Sequence, residues 1–167
     1  MKKRKKKYYN DRLGNAAIAA VVLLLVVGIW KISSVVYMNI RWTDFKLEFA
    51  SCVYDADTFG GYLKAQTDSE TVKVCHENAA LVYSALEMGT PVGRGAAKHP
   101  QDQVFLEFSN GADACLSMID DKNIHIDFTD TSGKQWRFLI KCDTRFENIK
   151  KMLSVEGAAY ANRAWEE

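Results

Sequence analysis

The sequence predicts an α+β fold: one N-terminal transmembrane helix, then a four-stranded antiparallel meander covered by helices. Three observations predict it. LGNAAIAAVVLLLVVGIW, Leu13–Trp30, carries no charge over 18 residues, the length at which an apolar run becomes a candidate span. Four segments between residues 103 and 142 alternate apolar and polar side chains, with turn-forming residues between them. Two other stretches repeat apolar residues at intervals of three and four, the helical period.

The N-terminal element comes first. Lys2, Lys3, Arg4, Lys5, Lys6, Lys7 and Arg12 precede the apolar run, and few basic residues closely follow it. This asymmetry predicts a cytoplasmic N-terminus and an exported remainder. Trp30 and Lys31 close the run; an indole suits the interface, and a lysine there turns its ammonium toward headgroups. A cleaved signal peptide needs small residues at its end, whereas this run ends Trp-Lys-Ile-Ser-Ser-Val. Val21–Val27 is apolar around its whole circumference, which disfavours a one-sided core helix. The expected organisation is a basic cytoplasmic tail over 1–12, an anchor over 13–38, an extracytoplasmic α+β domain over 39–154 and a tail over 155–167. The expected location is the cell membrane.

Charge and cysteines bound the exported part. Of 22 basic residues, 14 remain once the seven N-terminal ones and Lys31 are set aside, and of 21 acidic residues 20 remain without Asp11. The remainder is therefore acidic by about six charges, which argues against a nucleic-acid partner. Cys52, Cys75, Cys115 and Cys142 lie in it without a CxxC pair. One or two disulfides, or four buried thiols, both fit. Three scattered histidines predict no metal site, and no cofactor motif is present.

Within the domain, Asn39–Phe45 reads as a connector. KLEFASCVY (Lys46–Tyr54) reads as a strand with Leu47, Phe49 and Ser51 on one face, and YLKAQT as a second. Thr67–Gly89 reads as a helix, capped by Asp68 or Ser69, with Val72, Cys75, Ala79, Val82 and Leu86 as its apolar stripe. Pro91–Asp102 reads as a polar loop. The meander then places Val104, Leu106, Phe108, Ala112, Ala114, Leu116, Met118, Ile124, Ile126, Phe128, Trp136, Phe138 and Ile140 on one face. Glu107, Asp113, Ser117, His125, Asp127, Arg137 and Lys141 fall on the other. Asn110-Gly111 predicts a tight hairpin turn with positive φ at both residues. Asp143–Ser154 reads as a final helix with Phe146, Ile149, Met152 and Leu153 inward.

An anchored domain with a helix packed on a curved antiparallel sheet resembles the plan of cystatin-like and NTF2-like modules, including VirB8-type components of secretion and conjugation systems. The resemblance is one of architecture over about Asp68–Cys142. It implies a fold and leaves function to the site.

Few residues suggest chemistry. Cys75 and His76 are adjacent, so on a helix they point about 100° apart and make no thiolate–imidazole pair. Cys115 or Ser117 with His125 and Asp127 would form a nucleophile, base and orienter if neighbouring strands bring them together. Arg94, Lys98, His99, His125, Arg137, Lys141, Tyr160 and Trp165 are the expected partner contacts. The expected function is that of a single-pass, non-catalytic extracytoplasmic binding or sensing module with a membrane and a protein partner. Two alternatives are a structural subunit of a secretion- or conjugation-type complex and a tethered hydrolase using Cys115 or Ser117 with His125.

Overall fold

The computed structural model describes residues 2–58, 61–67, 70–95 and 100–154, the side chains of 2–15 and 56–58 excepted. It divides into two units, Met1–Arg41 and Trp42–Glu167. In the first, helix α1 (Lys2–Thr58) runs through the apolar stretch. From Ile18 to Ile40 the large apolar side chains point outward on every side of the helix. No face is covered, so this is not an amphipathic helix docked on its own core.

The second unit opens with the rest of α1, and here two expectations are corrected. Lys46–Tyr54 is helix rather than strand, and so is the connector before it. Trp42, Phe45, Phe49, Cys52 and Val53 are buried, whereas Leu47 and Ser51 are exposed. Those buried positions recur at three, four and seven, a helical face that starts inside the assumed connector. The period of two seen in Leu47, Phe49 and Ser51 is coincidental.

Among the described residues the sheet has seven strands rather than four. After α1 come β1 (Leu63–Gln66), β2 (Thr71–Val74), α2 (His76–Glu87), β3 (Thr90–Gly93), β4 (Asp102–Phe108), β5 (Asp113–Met118), β6 (Asn123–Thr129), β7 (Gln135–Lys141) and α3 (Phe146–Ser154). Their order is β2-β1-β4-β5-β6-β7-β3, and every pair is antiparallel. β2 shortens the helix expected over Thr67–Gly89. Thr71-Val-Lys-Val alternates exposed and buried, and β-branched residues pair more readily than they helicise. The helix starts only after Cys75, its N-cap; Asp68 and Ser69 lie outside the described residues. β3 occupies the first part of the expected polar loop. Its Pro91 is tolerated because β3 is an edge strand, where a missing N–H breaks no ladder.

The meander β4–β7 follows the expected pattern. All thirteen residues assigned to its apolar face are buried, Met118 only partly. The turn after β4 differs in detail. The Phe108 N–H donates to the Ala112 carbonyl and the Gly111 N–H to the Phe108 carbonyl, enclosing a three-residue loop. Such a loop places its left-handed residue last, here Gly111 at φ 90°. The β6–β7 turn repeats the device with Asp130, Lys134 and Gly133.

Three helical segments cover the inner face. Phe45 stacks on Trp42 at 5.0 Å and lies 5.3 Å from Phe138; Phe49 meets Phe128 edge-on at 5.3 Å and Phe108 at 5.6 Å. Such aromatic pairs add about 0.5–1.5 kcal/mol each beyond the area they bury. α2 contributes Ala79, Val82, Ala85 and Leu86; α3 contributes Phe146, Ile149 and Leu153. Lys150 of α3 donates to Asp102 of β4 at 2.5 Å. Gly89 passes so close to β7 that a Cβ there would sit 2.8 Å from Ile140 Cδ1. All four cysteines are free thiols.

Candidate contact surface

Because helices cover one face of the sheet, whatever the head presents on the other is set by strand register. Three rows cross it. The first runs Gln66, Phe105, Cys115, Asp127, Arg137; the second Lys64, Glu107, Asp113, Thr129, Gln135; the third Gln103, Ser117, His125, Leu139.

The first two rows are open. Phe105 stands half-exposed, at 50%, on a strand whose other apolar residues are all buried. Beside it is a depression of about 170 Å³ lined by Lys64, Gln66, Thr71, Phe105, Glu107 and Asp113. Charges around it are paired: Lys64 lies 3.7 Å from Glu107 and over the Tyr62 ring at 4.4 Å. The Tyr62 hydroxyl donates to Glu107 at 3.1 Å. Arg137 Nε donates to Asp127 at 3.0 Å. These pairs hold the side chains around Phe105 in place; as exposed ion pairs each adds at most about 1 kcal/mol.

The third row is covered, which its polar composition did not foretell. Ser117 is 2% exposed and His125 4%. β3 and β4 lie four places apart in the sheet order. Of the described residues after β3, Gly95 meets the His125 imidazole through its backbone. Burial depresses the His125 pKa, helped by the Arg137 charge, against the opposing pull of Asp127 and the Gly95 backbone.

Ser117 and His125 are directly opposed across strands, and Cys115 Sγ lies 3.6 Å from Ser117 Oγ. The groups of the hydrolase reading are therefore neighbours, but Ser117, Asp127 and Cys115 are otherwise engaged. Gln103 Nε2 donates to Ser117 Oγ at 3.0 Å. The Asp127 carboxylate is held by Arg137. Burial pushes the Cys115 thiol up, reinforced by Asp127 and Asp113 against the Ser117 hydrogen bond. A thiol so shifted stays protonated near neutral pH and is a poor nucleophile.

Cys75 and His76 border a separate cavity of about 200 Å³ with Val53, Tyr62, Leu63 and Lys73. Glu77 sits in the first turn of α2. Its carboxylate is stabilised by its own backbone N–H and the Cys75 thiol, which lowers its pKa. The helix start thus supplies its own anion. Among the described residues, no group of three metal-ligating side chains is present.

Of the expected partner contacts, His125 is buried, and Arg137 and Lys141 are exposed on β7. Arg94 is half-buried at the end of β3. Lys98, His99, Tyr160 and Trp165 lie outside the described residues. So do the side chains of Lys2, Lys3, Arg4, Lys5, Lys6, Lys7 and Arg12, whereas Trp30 and Lys31 are exposed on α1. Phe105 was missed, although alternation with Val104 and Leu106 already puts it outside.

Fold and surface together define a class: an α+β head of seven antiparallel strands and covering helices, preceded by a long apolar helix. Compared with known proteins, the chain matches no family model, no curated sequence and no solved structure.

Proposed function

We propose that this chain is a single-pass, membrane-anchored interaction module that holds a non-catalytic α+β head outside the cytoplasm. The observation that carries the reading is the apolar stretch of α1, whose described side chains are exposed on every side. In water that surface is unfavourable by about 25 cal/mol per Å²; in a bilayer the same surface is solvated. The basic N-terminal flank supports an inward-facing start. The outer sheet face serves as the contact surface, with Phe105 as its aromatic anchor and paired charges as its rim.

Protease added to intact cells stripped of outer layers should digest the head and spare a cytoplasmic marker; a head cut only after lysis sinks the topology. Independently, Phe105→Asp should strip co-purifying proteins from the full chain without lowering its Tm. An unchanged set of partners would remove Phe105 from the surface.

A second reading, a subunit of a membrane assembly, draws on Ile32, Val35, Val36 and Ile40, exposed beyond Lys31. These recur at three, four and eight along the helix, a stripe suited to another helix. Native mass in detergent separates a monomer from an assembly.

A further inference from the structure

From Lys31 to Asp55, α1 carries charge at Lys31, Arg41, Asp44, Lys46, Glu48 and Asp55. One column along the helix has none. Ile40, Thr43, Leu47, Ala50 and Tyr54 follow at alternating steps of three and four, the a and d positions of a heptad repeat. The same spacing runs back through Val36, Ser33 and Ile29 to Ala19, five heptads before Tyr54. Between Ala19 and Lys31 every position is uncharged, so the spacing there says little. From Lys31 to Asp55 it is selective, because all six charges fall at b, e, f or g.

The column is also open. Leu47 is 68% exposed and Tyr54 62%, on a helix whose Trp42, Phe45, Phe49 and Cys52 are buried in the head. Those four occupy c and f, on the far side of α1 from a and d. Within the column only Ala50 is half-buried; every other member is exposed. Because its side chains lie outside the head's core, the column is not needed for the head to fold.

We infer that α1 pairs with α1 of a second copy of this chain, parallel and in register, through the a and d column from Ala19 to Tyr54. This names the partner for the reading of a membrane assembly and rests on the anchored topology. Two copies that share a bilayer and an inward N-terminus bring each residue to the same depth. Each a then meets a, and each d meets d, along all five heptads; an unrelated partner would need the same repeat of its own. The footprint is large enough. At about 1.5 Å per residue the column is about 50 Å long, and a helix is about 10 Å wide. That gives about 500 Å² from each copy and about 1,000 Å² for the pair, the size at which an interface becomes specific. A straight helix lets a seven-residue repeat drift by about 20° per heptad, which a left-handed supercoil of two copies removes. Close packing holds the seam within the bilayer. Beyond it, burial of Ile40, Leu47 and Tyr54 from water does so.

Disulfide trapping of the full chain in isolated membranes tests this. On oxidation with copper phenanthroline, Ile40→Cys, Leu47→Cys and Tyr54→Cys should each give a reducible band at twice the chain's mass. Wild type, with its four native thiols, and the b-position variants Glu48→Cys and Asp55→Cys should give little. Leu47→Asp, an exposed change that leaves the head folded, should remove most of the Tyr54→Cys band when added to it, and Glu48→Gln should not. Bands at the three a positions no stronger than in wild type, Glu48→Cys or Asp55→Cys overturn the pairing. A band at Leu47→Cys alone marks crossing or antiparallel helices and overturns it as well. Alkaline extraction of the same membranes reads the anchor separately. Chain retained without bands overturns the pairing alone; chain released overturns the anchored reading and the pairing with it.

Discussion

Asp130 shows how much one side chain organises. Its carboxylate accepts from the Ser132 and Lys134 backbone N–H groups, the Ser132 hydroxyl and the Trp136 indole, at 2.6–3.0 Å. It therefore closes the β6–β7 turn and orients a buried tryptophan. Burial works against the charge, but these donors outweigh it and hold the pKa at about 2, below the ordinary 3.8. A depressed carboxylate stabilises the fold above its unfolded value and ceases to do so as pH falls through its folded one. Thermal unfolding should therefore show Tm dropping between about pH 4 and pH 2. In Asp130→Asn the drop should flatten, with a lower Tm at neutral pH. An unaltered acid limb in the variant would assign the acid sensitivity to other groups. Asp130 was not legible as an anchor, because a turn sequence does not reveal which of its polar groups faces inward.

At the scale of elements, α1 separates two readings of the same nine residues. Leu47 and Phe49 share a face if Lys46–Tyr54 is a strand, and lie on different faces of a helix. Phe49→Ala should cost about 3–5 kcal/mol, the usual loss for a buried aromatic. Leu47→Ala should change stability by less than about 0.5 kcal/mol, as surface substitutions do. Denaturant unfolding of the two variants reads both numbers, and similar losses would contradict the helix. The meander was legible strand by strand because strict alternation and turn residues agree there. The continuation of α1 beyond residue 38, β2 and β3 were not, for physical reasons. Phe49 fits both periods, Val72 fits a helical stripe as well as a strand, and β3 contains a proline that only its edge position permits. The outer face was legible as a set of polar residues. The burial of Ser117 and His125 was not, since it involves residues distant in sequence, Gln103 at Ser117 and Gly95 at His125.

For the whole molecule, the apolar stretch and the head impose different demands on one helix. Leu24→Arg, near the middle of the apolar stretch, should reduce insertion, since arginine at a helix centre costs about 2.5–3.5 kcal/mol. Leu47→Arg, an equally exposed leucine within the head unit, should not. The fraction of chain resisting alkaline extraction measures both, and equal extraction would count against a bilayer around Leu24. The ring-to-ring packing of Trp42 on Phe138, at 5.0 Å, carries a further consequence for biogenesis. A ribosome makes Trp42, Phe45 and Phe49 long before β6 and β7, the strands that shelter them. Until translation passes Phe138, this aromatic face has no final partner, and contacts between distant parts of a chain form slowly. The nascent protein therefore passes through a sticky interval that ends only when its last two strands arrive.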